Sequence, residues 1–391
     1  MIYVTLLDQF HPGIYSGQVI DVCNYLNRQH TAGVRLVAFL SVKELLRSDA
    51  RSKIRHLSPN AIVLPAFPGL KNFEWTAIIL FFVCLFTGER IAICRNAFCT
   101  KMALRVKKFG LLKKVALDGR SALSAEIGEY DLFPVDYLRD NIARIEGQAV
   151  NESDFRVAVS HHLVNYWIEK YNYQQGVEAV IPCTLDSKNF PEKAFLLSPD
   201  VGKIKQELGI KPTDIVLVYS GSVAPWQSFA LIEKALTPLL DKDGRVKVLF
   251  LSRENEDNTR FQKKYKDRVF IKWVEHKHVI SYLNCCDYGI LLREQSDTNK
   301  VASPVKFAEY LYAGLPVLIS ENLGDFSQYV QVNDCGQMIK GENPDWSFLK
   351  KSEIETKEKC FSLAFRDFMK ESEENEKSYS HLVSHLTETS R

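Results

Sequence analysis

The chain has 391 residues, 46% of them hydrophobic and 25% charged; at ~100–200 residues per domain it should form two or three domains with real cores, which excludes a disordered chain. Its 50 Lys+Arg against 48 Asp+Glu give a net charge of +2, which excludes a surface built throughout for nucleic acid. Nine scattered cysteines without a C-x-x-C pair exclude a zinc ribbon or a thioredoxin-type site and predict buried thiols in a reducing compartment. The opening MIYVTLLDQFHPG has neither a basic n-region nor a small-residue cleavage site, so the expected setting is the cytoplasm.

Short β-branched runs alternate with longer helical stretches, the pattern of α/β layers around parallel sheets. In the first half the expected strands are Ile2–Leu7, Val34–Phe39, Ala61–Leu64, Ile91–Cys94, Lys114–Leu117 and Arg156–Val159. Residues 186–212, polar and carrying Pro191, Pro199 and Pro212, hold the expected domain boundary. A second series follows at Ile215–Tyr219, Val246–Leu251, Val269–Lys272, Tyr288–Leu292 and Val317–Ile319. From Trp346 the chain reads as charged and helical to its end, with one stretch from Ser352 to Leu386. The expected domains are 1–190, 191–365 and a closing helix, 366–391, that returns to the first domain. Two sheets of five to six strands, one per domain, leave a cleft, which is where such folds bind ligands.

Charge is distributed unevenly. Between Arg28 and Lys114 stand 16 Lys/Arg and four Asp/Glu, a local charge of +12; the remainder, with 34 basic and 44 acidic residues, carries −10. Such a segment is either a set of solvated helix faces or a surface that attracts phosphates or an acidic leaflet. Beside it lies Ala77–Phe86, ten apolar residues. A bilayer span needs about 20, so this is a buried helix or an interfacial one that touches lipid.

The main chemical signal is a strand–loop–helix unit. Tyr288–Leu292 is a strand, Glu294–Ala302 a loop, and Ser303-Pro304-Val305-Lys306-Phe307-Ala308-Glu309 opens a helix. Ser303 is the expected N-cap and Pro304 the first helical residue. The first-turn amides and the positive helix end then suit a phosphate. Lys306 is a cation where the dipole disfavours one, which makes sense if an anion sits there. Glu309 suits a bidentate contact with a ribose diol. Gly314 fits the position just past the helix. A second signal is Ile215–Ser222, a strand running into Gly221 and Ser222, where glycine permits close approach of backbone to ligand. The first strand likewise ends in a loop through Gly13, Ser16 and Gly17. No G-x-G-x-x-G and no P-loop lysine motif occurs.

Tyr219-Ser220-Gly221, Asp287-Tyr288-Gly289 and Ser303–Val317 resemble the donor half of a GT-B glycosyltransferase, and are most similar to the family 4 type of polysaccharide and lipid-linked glycan assembly. Val159-Ser160, Ile181-Pro182 with Asp186 and Phe190, and Asp118-Gly119-Arg120 with Glu126 match what such enzymes carry in the first half. The resemblance implies an α/β GT-B fold of two Rossmann-like domains facing a cleft. It implies a retaining, metal-independent hexosyltransferase that moves a sugar from a nucleotide diphosphate, UDP ahead of GDP, to a glycan or lipid-linked glycan, with no cofactor and no nucleic-acid partner. Glu309 would hold the ribose. Arg293, Lys306 and the helix amides would stabilise the diphosphate, with Ser303, Pro304 and Val305 also on the donor side. Gly13, Ser16, Gly17, Gly221 and Ser222 would approach the diphosphate, Val274 and Glu275 would flank the base, and Asn299 or Lys300 would touch the sugar. Asp118, Arg120, Glu126 and His161 would line the acceptor side, with Arg120 or Asp118 near the donor sugar.

Two departures stand out. The family pairs glutamates as E-x7-E, but Val301 stands eight residues before Glu309; and Trp226-Gln227 follow the central Gly loop where relatives often carry Arg and Lys. The first departure motivates a rival reading as a non-catalytic nucleotide-sugar-binding subunit; a nucleotide-sugar epimerase of the same fold is a third. Asp241-Lys242-Asp243 reads as a turn and not as a metal-binding D-x-D. His276 and His278 read as surface residues flanking the base loop. The implied location is the cytoplasmic face of a membrane, met peripherally.

Overall fold

The computed structural model describes all residues except 8, 9, 11, 12, 48, 68–71, 131–135, 193–199, 223, 342, 343 and 389–391, and the side chains of 7, 136–139 and 225. Part of the expected first loop (8, 9, 11 and 12), Lys71 and Pro199 therefore lie outside the described residues. The chain divides into two compact units. One comprises Met1–Pro182, Val301–Ser303 and Glu373–Arg391; the other comprises Cys183–Lys300 and Pro304–Ser372. The sequence reading had drawn these limits at 190/191 and 365/366.

The first unit holds a seven-stranded sheet: β1 (Ile2–Leu7), β2 (Arg35–Ser41), β3 (Ile62–Ala66), β4 (Ile91–Arg95), β5 (Lys114–Gly119), β6 (Phe155–Ala158) and β7 (Glu178–Val180). Their order is β3-β2-β1-β4-β5-β6-β7 and every pairing is parallel, with Ile2 opposite both Arg35 and Ala92. The alternation of a strand decides which core each residue enters. Ile2, Val4 and Leu6 pack with Phe73, Leu80 and Met102 on one face, while Tyr3 packs with Tyr15, Leu26 and Leu36 on the other. The closing helix Glu373–Thr387 belongs to this unit, and its Tyr379, Leu382 and Leu386 enter the second of those cores.

The second unit holds six parallel strands: β8 (Ile215–Ser220), β9 (Val246–Leu251), β10 (Val269–Lys272), β11 (Tyr288–Leu291), β12 (Val317–Ser320) and β13 (Gly336–Ile339). Their order is β10-β9-β8-β11-β12-β13. β8 and β9 are buried throughout, as a sheet covered by helices on both faces requires.

Three expectations need correction. The first sheet has seven strands because Glu178–Val180, only three residues long, pairs at the edge of β6. β13 was not foreseen either; its alternating exposure marks a half-covered edge strand and not a buried run. The stretch from Ser352 to Leu386 is two helices, Ile354–Asp367 and Glu373–Thr387, separated by a segment in which Met369 bridges Leu185. All nine cysteines are buried and none forms a disulfide.

Candidate functional site

In each sheet the strand order reverses direction once, between β1 and β4 and between β8 and β11. Doubly wound sheets bind ligands at the carboxyl ends of the strands flanking that point. In the second unit those ends are Ser220-Gly221-Ser222 after β8 and Leu292-Arg293 after β11.

The helix Val305–Tyr312 is fixed there by Tyr310. Its hydroxyl accepts from Ser220 N at 2.8 Å and donates to Ile290 O at 3.2 Å, so one side chain ties both strands to one helix. The helix ends in a Schellman motif. Gly314 N donates to Leu311 O at 2.9 Å, Leu315 N donates to Tyr310 O at 2.8 Å, and Gly314 takes φ +73°. The start differs from expectation by one residue: Pro304, extended at ψ 121°, is the N-cap, and no side chain caps it. Ser303 lies outside the helix and is buried. Proline has no N–H and prefers the conformation just outside a helix as readily as the first turn, so Ser-Pro alone leaves the register open.

Lys306 is 6% exposed; its Nζ donates to Gln227 Oε1 at 2.8 Å and lies 4.1 Å from the Tyr219 ring centroid. Gly221 passes directly over it at φ +145°, where a Cβ would stand 2.7 Å from Nζ. Arg293, 5% exposed, directs Nη2 to the same Gln227 Oε1 at 3.4 Å and Nη1 to Asn299 Oδ1 at 3.4 Å. Two buried cations thus share an uncharged acceptor. Burial, and then the Arg293 charge, push the Lys306 ammonium well below its usual range, and Glu309 pulls the other way. Glu309 is itself 6% exposed, and its Oε1 stands 3.2 Å from Nε2 of the half-exposed His276.

The structure therefore brings Gly221, Arg293, Asn299, Lys306 and Glu309 into one neighbourhood and adds Gln227 and His276. Gln227 was visible in the sequence only as a missing cation, and His276 was read as a surface residue. Asn299 is fully buried, holding Arg293 and donating through Nδ2 to Glu294 O at 3.0 Å, so it supports the cation. Lys300 is exposed. Val301 is buried among apolar side chains, so no carboxylate takes the first position of the glutamate pair. Val305 is half-buried, and Ser222 presents its carbonyl to the Tyr219 hydroxyl at 2.6 Å. Val274 is half-buried, whereas Glu275 is exposed and paired with Lys277 at 2.7 Å, which lowers its carboxyl pKa. Asp241 accepts from Tyr265 and Asp243 from Arg245, so this D-x-D is occupied by local partners at a helix end.

In the first unit Asp118 is buried at the end of β5; it accepts from the Tyr3 hydroxyl, and its Oδ1 is 2.7 Å from Arg120 Nε. The carboxylate positions Arg120, and both of its oxygens are engaged. At the end of β4, Arg95 donates to Gln18 Oε1 at 2.7 Å; the sequence reading passed over this arginine, although a charged last residue on a buried strand beside a reversal point was a usable signal. Glu126 is half-buried, and burial raises its carboxyl pKa. His161 is exposed at the start of the helix His161–Tyr171, whose N-cap is Ser160. Gly13, Ser16 and Gly17 belong to a helical entry and not to an open loop: Ile14–Ile20 is a π-helical segment running into Asp21–His30.

No family model matches the chain, and no curated protein sequence is similar to it. Solved structures are similar in fold. Anabaena HepE in complex with UDP aligns over 98% of this chain and all of its own, at 13% identity and TM-score 0.73. Sucrose-phosphate synthase from Thermosynechococcus elongatus aligns over 97% of this chain and 96% of its own, at 13% identity and TM-score 0.68. WaaG, a glycosyltransferase involved in lipopolysaccharide biosynthesis, aligns over the full length of both chains at 12% identity and TM-score 0.63. The protein has the two-domain, parallel-sheet GT-B fold that these glycosyltransferase structures share.

Proposed function

We propose that this protein is a retaining, metal-independent hexosyltransferase. It moves a sugar from a nucleotide diphosphate to a glycan or lipid-linked glycan in polysaccharide biosynthesis, at the cytoplasmic face of a membrane. The observation that carries the reading is the meeting of Arg293 and Lys306 on Gln227 Oε1 at the carboxyl ends of β8 and β11. Two buried cations that converge on one oxygen at these strand ends suit a diphosphate, whose charge attracts both.

The leaving diphosphate gains charge as the glycosidic bond breaks. Cations and helix amides already in place stabilise that charge without reorganising, and one such donor contributes on the order of 3 kcal/mol. Gly221 keeps the β8 loop low enough for close backbone approach. Glu309 binds the ribose hydroxyls, with His276 holding one carboxylate oxygen. Val274 and Glu275 flank the base. In the first unit, Asp118 holds Arg120 for the acceptor side, together with Glu126 and His161. UDP is the first nucleotide to test, because HepE is similar in fold and its structures hold UDP and UDP with glucose.

The test is slow hydrolysis of UDP-, GDP-, ADP- and dTDP-sugars by wild type, Lys306→Ala and Glu309→Ala. Release of one nucleotide by wild type and by neither variant supports the reading; release that survives both substitutions removes the active site from this helix. A second reading, a nucleotide-sugar-binding subunit without catalysis, is favoured by Val301 in place of the first glutamate. Glu309-dependent nucleotide binding without turnover against any acceptor would support it.

A further inference from the structure

The helix Phe73–Thr87 has no polar side. Phe73, Ala77, Leu80 and Cys84 enter the core of the first unit. The opposite face carries Trp75, Ile78, Phe82, Leu85 and Phe86, at the 3–4-residue spacing of a second apolar stripe. These side chains are solvent-exposed, Trp75 to 63% and Phe86 to 82%. Phe109, 76% exposed, extends the surface through the ring contact of Phe81 with Phe109, and Phe82 stacks on Phe86. A helix between a core and water carries polar residues on its outer face, and a contiguous apolar face of this kind marks an interaction site.

The charges around this face determine what it meets. Residues 73–114 contain eight Lys/Arg and two Asp/Glu. Both acids are neutralised locally, Glu74 by Arg105 and Glu89 by the amino terminus at 2.7 Å. Arg105 stands beside the start of the helix through that pair. Arg90, just past its end, donates to the carbonyls of Gly110 and Leu111 next to Phe109, and Lys113 N donates to Arg90 O at 2.7 Å. Lys108 precedes Phe109 and is exposed. Cations thus gather beyond the end of the helix, around Phe109, at Arg90, Lys108 and Lys113. A second copy of the same face would meet it with like charge, whereas an anionic bilayer offers hydrocarbon to the centre and phosphate to the rim. At 15 residues the helix is about 22 Å long. No helix among the described residues is long and apolar enough to cross a membrane, so the bound geometry is a helix lying in the interface.

We propose that the Trp75–Phe86 face, with Phe109, is a membrane-docking surface that inserts into the headgroup boundary of anionic bilayers, and that Arg90, Lys108 and Lys113 select for negative lipid. This stands independently of the donor site, because it rests on a different element and needs no sugar chemistry. Lys107 is not part of this set, because both oxygens of Asp154 engage it, at 2.6 and 2.7 Å.

The experiment is vesicle flotation of the full chain, using phosphatidylcholine alone and phosphatidylcholine mixed with phosphatidylglycerol. The wild type is compared with Phe82→Ser/Phe86→Ser and with Lys108→Glu/Lys113→Glu, all four sites being on the surface. Nucleotide binding by each variant checks that it is folded. We expect wild type to float with the mixed vesicles, the serine variant to bind at least tenfold more weakly, and the charge-reversed variant to lose its preference for phosphatidylglycerol. Wild type that floats with neither vesicle, or variants that float as wild type does, would overturn the proposal. So would a dimer in solution that the serine variant dissociates, since the face would then be covered by a second copy.

Discussion

The Tyr310 ring lies against Gly289, so close that a Cβ on residue 289 would stand 2.4 Å from it. The same tyrosine bridges Ser220 N and Ile290 O, so the contact sets the distance between the helix bearing Lys306 and Glu309 and the two central strands. Gly289→Ala is therefore expected to destabilise the second unit by about 1–3 kcal/mol through overpacking. The denaturant midpoint should fall, and weakened nucleotide binding should accompany it. A variant as stable as wild type would mean that the helix has room to shift.

Replacing the neutral atom between Arg293 and Lys306 by a charged one tests directly whether both cations are used to hold an anion. Gln227→Glu places a carboxylate where Gln227 Oε1 now accepts from both cations. The thermal midpoint of the variant checks that it is folded, since burying a new carboxylate carries its own desolvation cost. Nucleoside diphosphate affinity is expected to fall by at least tenfold, about 1.4 kcal/mol, since the anion now competes with a resident one. Unchanged affinity in calorimetry would show that the diphosphate binds elsewhere.

Lys306 also predicts a pH effect with a definite sign. Its ammonium is depressed by burial and by Arg293. Between that lowered value and the ordinary lysine range the unfolded chain binds the extra proton, so across this window the Lys306 contribution to stability rises with pH; below the window, the penalty of the buried charge is fully present. A bound diphosphate raises the same pKa, so binding takes up a proton, and affinity falls as pH rises through the free-state value. Calorimetry in two buffers of different ionisation enthalpy should show this uptake, and Lys306→Met should abolish it. Identical heats in both buffers for wild type at every pH across this window would remove Lys306 from the phosphate contact.

Asp118 and Arg120 form a nearly buried pair, with Tyr3 donating to the same carboxylate. Asp118→Ala removes the buried carboxylate that Arg120 and Tyr3 both face and is expected to cost about 1–3 kcal/mol, whereas Tyr3→Phe removes one hydrogen bond and costs about 1 kcal/mol. Chemical denaturation of both variants distinguishes a positioning carboxylate from an expendable one. A loss below 1 kcal/mol in the alanine variant would place the pair in solvent.

Much of this was legible before any coordinates. Eleven of the thirteen strands stand in the sequence as β-branched runs, because a strand buried on both faces must be apolar at nearly every position. Gly314 announced its helix end, and Lys306 and Glu309 stood out as charges one turn apart at a helix start. The two missed strands are edges, where burial is too incomplete to leave a pattern. The register of Ser303 and Pro304 slipped by one because proline suits either position.

The pairings across sequence distance were not legible. That Gln227 would lie between Arg293 and Lys306, that His276 would meet Glu309, and that Asp118 would be engaged by Tyr3 all depend on which loops the strand order brings together, and no local period encodes that. The helix Phe73–Thr87 marks the limit most sharply. Composition alone determined that it is apolar all round, and so unsuited to water; only packing decided which stripe the core takes and which it leaves facing outward, because a helix with two equivalent faces carries no information about which one the sheet will cover.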